Sequence, residues 1–349
     1  MLYYLSQILA EIAGPFRLFS SYIFLAGLGT ALGALLTWWL LPRFWHRLPK
    51  DRGREFAVDA AKSIGKPMSA GIIFIPIFCV LTLLVVPFDW QFVGIIMCIL
   101  MAMLVGFLDD QSEGGWSEYR LASLDFLLAF AASIMICGLD PFTIWLPLYK
   151  DPIVVSPVIF IAGATPLIWV SINATNCTDG VDGLSASLSS MAILFLGAIL
   201  YGIVGHDPIA SYLLVPHYSQ GADWAIMAFV MVGCLTGYLW YNSYPSAVLM
   251  GDSGSRPIGL LLGVLVLASG NPFLILVVAF VVLVNGATGL LKVALLRFFK
   301  IGIFNQVRYP LHDHVRLNMG WSNTQVLVRF MLLQAVGTPI LLVLLLKIR

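Results

Sequence analysis

An all-α, polytopic fold embedded in a membrane is expected from three features of this 349-residue chain. Its residues are 60% hydrophobic and only 11% charged, with a mean hydropathy of +0.94, outside the composition of soluble domains. Apolar runs of about 17 to 25 residues recur along its length, which is what an α-helix needs to cross the hydrocarbon core. Helices satisfy every backbone N–H and C=O inside the bilayer without a partner strand, so a β-barrel is not expected. No stretch is left over for a soluble domain, and residues 1–349 read as one integral-membrane unit.

Taken in order, residues 1–20 lack a basic leader and a small-residue cleavage site, and are expected to remain as a short interfacial helix. Apolar runs between polar breaks then place ten transmembrane helices near 21–41, 70–88, 90–108, 121–139, 156–172, 184–204, 222–240, 256–271, 272–291 and 326–346. The breaks alternate in character. One set (42–69, 109–120, 173–183, 241–256 and 292–325) is polar and charged; the other is short or carries proline and aromatics. Every Lys and Arg except Arg17, Lys150, Lys347 and Arg349 belongs to the first set or borders it. By the positive-inside rule these breaks are cytoplasmic, so both termini lie on the outer side. Most acids share the asymmetry, including Asp125 one turn inside the fourth span, and an active site on the cytoplasmic face is expected. The cysteines Cys79, Cys98, Cys137, Cys177 and Cys234 have no paired or metal-type spacing and read as reduced packing residues. The net charge of +1 says nothing as a total, and no nucleic-acid partner is expected.

Four polar clusters sit on these breaks. In "GFLDDQSEGG", Asp109 and Asp110 repel one another at the negative end of a helix dipole, so either a divalent cation compensates them or the pair is a solvated helix end. In "NSYPSAVLMGDSGSRPIG", Asp252 stands between Gly251 and Gly254, with hydroxyls and Arg256 following. This pattern fits a phosphate-binding helix entrance or an ordinary turn. In "YPLHDHVRLNMGWSN", His312 and His314 at i and i+2 do not share a helical face, so either they are solvated loop histidines or they make phosphate or sugar contacts, in preference to a metal. In "NATNCTDGVDGL", Asn173, Asn176, Asp179 and Asp182 recur at a spacing of three, and Asp179 and Asp182 would lie on one face at the start of the sixth span. Capping that helix needs one such residue, and four are present. Ionisable groups at membrane depth cost about 2.5–3.5 kcal/mol on insertion scales and are functional by default. Aspartates without sulfur ligands point to Mg²⁺ in preference to zinc. Glycines, hydroxyls and basic side chains beside them point to a phosphate-bearing substrate.

The acidic pair after a span, "NATNCTDGVDGL", "MGDSGS" and the His-containing last loop resemble, in order, the signature motifs of polyprenyl-phosphate N-acetylhexosamine-1-phosphate transferases. Within that superfamily the wording is most similar to the translocase I branch, the bacterial phospho-N-acetylmuramoyl-pentapeptide transferases. "MLYYL", "GKPMSAGI" and "VLVRF" extend the similarity over nearly the whole chain. The resemblance implies a multi-pass protein of the bacterial inner membrane that uses Mg²⁺ to move phospho-MurNAc-pentapeptide from its UDP carrier to undecaprenyl phosphate. The products implied are UMP and lipid I, a precursor of peptidoglycan. Asp252 would be a principal Mg²⁺ ligand, and Asp109 and Asp110 the acidic pair near metal and lipid phosphate. Asn173, Asn176, Asp179, Gly180 and Asp182 would line the uridine and diphosphate site, with Asn242 contacting the nucleotide. Lys62, Lys66, His312, His314 and Arg316 are the further expected substrate contacts. Either a monomer or a homodimer accords with the resemblance. Departures from the pattern are Glu113 in place of a lysine, Leu249 in place of an aromatic, and Asp313 inside a triple-histidine motif. Two other functions stay open on the residues: a UDP-GlcNAc or related sugar-1-phosphate transferase, and a transporter. A transporter would carry its acids at mid-span, whereas these sit at the ends.

Overall fold

In the computed structural model, which describes residues 1–11, 13–53, 58 and 63–347, the chain is a bundle of apolar helices. The expected interfacial segment is a short helix α1 (Leu2–Leu9) followed by a 3₁₀ turn over Gly14–Ser20. The bundle comprises α2 (Tyr22–Phe44), α3 (Gly71–Val85), α4 (Trp90–Gln111), α5 (Glu118–Cys137), α6 (Pro157–Thr178), α7 (Leu184–Ile199), α8 (Gly221–Asn242), α9 (Asp252–Ala268), α10 (Phe280–Phe299), α11 (Leu311–Met319) and α12 (Asn323–Lys347). Among the described residues, eight helices are long and apolar enough to cross a membrane. The runs at 70–88 and 256–271 form the shorter helices α3, of 15 residues, and α9, of 17. At 1.5 Å per residue these span about 22 and 25 Å, less than a hydrocarbon core of about 30 Å.

α9 is the axis of the fold. Every residue from Asp252 to Ala268 is buried, as expected for its apolar stretch from Ile258 onward, and it packs against α3, α4, α6 and α7. Small residues permit the close approach. A methyl group on Gly106 of α4 would collide with the Asp252 backbone, and one on Gly71 of α3 with that of Ser253. The segments leading into α3 and α9 also pair, with Ala70 N donating to Leu249 O (3.1 Å) and Leu249 N to Pro67 O (2.8 Å). The two short helices therefore begin side by side.

Two features depart from the expected elements. The break after α5 holds an antiparallel hairpin, β1 (Phe142–Ile144) with β2 (Ile153–Val155). It is fastened by Trp145, whose Nε1 donates to Ser269 O (2.9 Å), and by Tyr218, whose hydroxyl donates to Thr143 O (2.9 Å). The run expected as one span at 272–291 is interrupted: a helical turn over Ile275–Val278 stops at Ala279, and α10 continues from Phe280 to Phe299 with π-turns at Leu283–Ala287 and Leu295–Phe299. The interruption frees backbone groups, and α12 satisfies them. Buried Gln334 donates to Val278 O and accepts from Val281 N (3.2 Å), while Thr338 Oγ1 donates to Val277 O (3.1 Å). A polar residue in mid-span thus serves the helix break. Gln334→Leu leaves Val278 O and Val281 N without these partners, at about 1–3 kcal/mol for a buried orphaned group. The variant is expected to unfold at a lower temperature than the parent in detergent thermal melts.

Candidate active site

Three carboxylates from two helices converge where α9 begins. Asp109 and Asp110 end α4, Asp252 opens α9, and one ligand oxygen from each lies within 4.8 Å of the other two. The cap of α9 is Gly251, which has no side chain to offer. Asp110 supplies the missing acceptor from another helix: Oδ1 takes the N–H of Asp252 (3.1 Å), and Oδ2 takes that of Ser253 (3.2 Å) and the Ser69 hydroxyl (2.6 Å). The phosphate-binding entrance expected at "GDSGS" is therefore filled, at these two N–H groups, by a carboxylate of the protein itself. Asp109 Oδ1 accepts from Trp116 N (2.6 Å), folding the following loop back onto the helix end.

Arg256 does not face outward from the helix start. It is 4% exposed, donates from Nε (2.9 Å) and Nη2 (2.7 Å) to Asp252 Oδ2, and pairs through Nη1 with the fully buried Asp125 of α5. Two unit negative charges 4.8 Å apart repel by about 3 kcal/mol in an effective dielectric of about 20. One guanidinium set against Asp109, Asp110, Asp125 and Asp252 leaves a net negative charge, so the cluster favours a cation. Its ligands are all hard carboxylate oxygens, a donor set that fits a hard divalent ion.

Most of the expected substrate residues line one of two adjoining cavities that share Asp51 and Met68; His312 and His314 line neither. The larger, about 1820 Å³, contains Asp109, Asp110, Asp252, Asn173 and Asn176, and runs along the apolar face of α10 past Lys292 and Arg297. The smaller, about 180 Å³, is lined by Lys66, Asp179, Gly180, Asp182, Asn242, Leu249 and Arg316. The "NATNCTDGVDGL" stretch does not form the start of a helix. α6 runs on to Thr178, Asp179 is its C-cap, and α7 starts only after Gly183. Asn173 and Asn176 thus lie on the last turns of α6, where Asn176 Nδ2 donates to Ser255 Oγ (3.0 Å) of α9. Within the helix Asn173 and Thr178 return hydrogen bonds to the carbonyls of Trp169 (2.9 Å) and Ala174 (2.8 Å), one turn earlier.

Asp182 accepts from Ser246 N (3.0 Å) and Ser246 Oγ (2.8 Å), and Lys66 Nζ donates to that same hydroxyl (3.0 Å). The amide of Asn242 is occupied by backbone at both ends, accepting from Gly183 N (2.9 Å) and donating to Val248 O (2.8 Å). It positions the turn in addition to lining the cavity. Lys62 lies outside the described residues. His312 is buried against Gly180, where an added methyl group would strike its ring, and its N–H donates to Asn285 Oδ1 (2.8 Å). Burial, with the charge of Arg316 adding to it, pushes the His312 imidazole down to about 3. His314 points elsewhere, accepting from Arg308 N (3.2 Å), and lines neither cavity. Asp313 lies between Arg308 (4.0 Å) and Arg316 (3.6 Å); burial raises its pKa against their pull. Glu113 is exposed.

Sequence reasoning missed Asp125, Asn285, Ser69 and Ser246. For Asp125 a signal existed: an acid and an arginine each placed inside apolar runs imply a buried pair.

Residues 92–270 match the sequence profile described as glycosyl transferase family 4. The chain is 49% identical over 339 residues to the phospho-N-acetylmuramoyl-pentapeptide-transferase of Treponema pallidum (strain Nichols), covering 96% of this chain and 93% of that one. The chain belongs to the phospho-N-acetylmuramoyl-pentapeptide-transferase family. Members so named from Helicobacter pylori (strain Shi470) and Campylobacter jejuni (strain RM1221) are 30% and 29% identical over 347 and 345 residues, covering 95% and 94% of this chain and 97% and 95% of theirs. The phospho-N-acetylmuramoyl-pentapeptide-transferase branch read from the motifs is the one these relatives bear.

A neutral His312 in the folded state has a sign-definite consequence. Folded His312 titrates near 3, against about 6.5 in an unfolded chain. Between those values the unfolded state binds more protons, so stability rises with pH there and is lost as pH falls below about 6.5. The thermal midpoint of the parent protein is expected to drop between pH 7 and pH 5 by more than that of His312→Gln, measured in the same detergent.

Proposed function

We propose that this chain transfers phospho-MurNAc-pentapeptide from UDP-MurNAc-pentapeptide to undecaprenyl phosphate with Mg²⁺, forming lipid I and releasing UMP at the cytoplasmic face of a bacterial inner membrane. The observation that carries the reading is the Asp109–Asp110–Asp252 cluster in the wall of a large cavity that adjoins a smaller one at Asp51 and Met68. The large one is lined mainly by apolar surface, as a lipid requires; the small one carries the charged side chains of Lys66, Asp179, Asp182 and Arg316. Family membership supports the substrates. Ten crossings, with α3 and α9 among them and both termini outside, accord with the placement of Lys and Arg around the acidic end. All of residues 1–349 serve as one transferase unit.

In this reading Asp109, Asp110 and Asp252 hold Mg²⁺, which would neutralise charge on the diphosphate and on departing UMP. Asp179, Asp182, Lys66 and Arg316 bind the nucleotide side, with Gly180 leaving room for His312 and Asn242 fixing the turn. Asn173 and Asn176 line the diphosphate side. Direct attack by the lipid phosphate on the β-phosphorus needs no strong base, because a phosphomonoester with a second pKa of about 6 is already largely dianionic at pH 7. Asp110 Oδ2 already accepts from Ser69 and Ser253, which leaves Oδ1, with its single bond from Asp252 N, as the oxygen available to a cation.

Purified enzyme given undecaprenyl phosphate and Mg²⁺ is expected to release UMP from UDP-MurNAc-pentapeptide and not from UDP-GlcNAc. Release from UDP-GlcNAc alone would assign it to the neighbouring sugar-phosphate transferases. Asp252→Ala is expected to insert normally and lose turnover by about 10³, the equivalent of several kcal/mol of charge stabilisation. Full turnover in that variant would refute the metal assignment.

A further inference from the structure

We infer that Arg256 and Asp125 form a positioning clamp for Asp252, fixing the carboxylate of that metal ligand against the rest of the acidic cluster. The inference rests on the assignment of Asp252 as a metal ligand made above. Arg256 stands one turn after Asp252 on α9 and places two nitrogens, Nε at 2.9 Å and Nη2 at 2.7 Å, on the same oxygen, Oδ2. A single contact would leave the carboxylate free to swing about χ2; two contacts from one rigid guanidinium do not. The guanidinium is immobilised in turn. Its Nη1 pairs with Asp125 of α5, which is 0% exposed, while Arg256 itself is 4% exposed. The chain of contacts thus runs from α5 through Arg256 to the first residue of α9.

Charge and geometry make opposite demands on Arg256. As a cation beside a metal site, it should weaken cation binding, and deleting it alone would leave Asp125 buried without its partner, adding negative charge. As a clamp, it should strengthen binding by holding the ligand in place. Asp125 cancels the charge of Arg256 and leaves the geometry, which is why the pair together, and not Arg256 alone, is the positioning device. Replacing both partners of a buried ion pair is commonly tolerated by a fold, whereas removing one strands a charge. The double variant Arg256→Met with Asp125→Asn removes the clamp without changing net charge. Arg256→Lys keeps the charge but replaces the planar fork with an ammonium that cannot reproduce all three contacts.

The test is Mn²⁺ binding to the detergent-solubilised full chain, followed by the electron paramagnetic resonance of free Mn²⁺. Thermal melts and the Mg²⁺ dependence of UMP release are measured on the same samples. Loss of an outer-shell partner costs about 10–100-fold in metal affinity. The double variant and Arg256→Lys are each expected to bind Mn²⁺ about 10-fold or more weakly. Both should need correspondingly more Mg²⁺ for half-maximal rate, with little change in KM for the UDP substrate. Unchanged Mn²⁺ affinity in a folded double variant, or in Arg256→Lys should the double variant not fold, overturns the clamp. Asp252→Ala separates the two ideas: if it too binds Mn²⁺ like the parent, the metal assignment itself has failed, and if it alone loses binding, only the clamp has.

Discussion

The site depends on the carboxylate of Asp110 resting on the N-terminus of α9. That helix begins with a glycine cap inside the bundle, so its first N–H groups have no capping side chain of their own to satisfy them. Asp110 meets two of them and takes the Ser69 hydroxyl as well, joining the end of α4, the approach to α3 and the start of α9 at one carboxylate. Gly106 and Gly71 allow this because any larger residue would hold the backbones apart. The same contact brings Asp109 and Asp252 together, so the element that finishes the helix also assembles the acidic cluster.

Electrostatics then shape the surroundings. A helix N-terminus and one guanidinium offset part of the charge of four carboxylates, and the remainder suits a divalent cation. The apolar cavity along α10 carries this charge in its wall and adjoins, at Asp51 and Met68, a smaller cavity set with Lys66, Asp179, Asp182 and Arg316, an arrangement suited to a reaction between a lipid phosphate and a soluble diphosphate. The break at Ala279 just before α10, satisfied by Gln334 and Thr338 of α12, interrupts what would otherwise be a straight apolar span on the wall of the larger cavity.

Much of this was legible in the chain. Run length gave most of the helices, because hydrocarbon thickness sets a simple rule, and the acids at the ends of runs marked where chemistry would gather. Helix ends were less legible. Asn173 and Asn176 look like loop residues by polarity, yet α6 continues through them because the interior of the bundle supplies partners such as Ser255. Arg256 belonged to a pattern that fits a phosphate-binding entrance or a turn, and its pairing with Asp252 and with Asp125, distant in sequence, is visible only in the packed structure. Gln334 read as an ordinary part of the last apolar run because the groups it serves belong to another helix. Composition and spacing report local needs; which distant group answers them is a property of the packed fold.

The most direct test of the central contact compares Asp110→Asn with Asp110→Ala in thermal melts under metal-free, EDTA-containing buffer, where loss of a bound ion cannot contribute. Asparagine keeps an acceptor oxygen for the start of α9 and alanine keeps none. Asp110→Ala is expected to melt below Asp110→Asn by the equivalent of about 1–3 kcal/mol, with both variants inactive. Coincident melts for the two would contradict the view that this side chain finishes α9 and assembles the site.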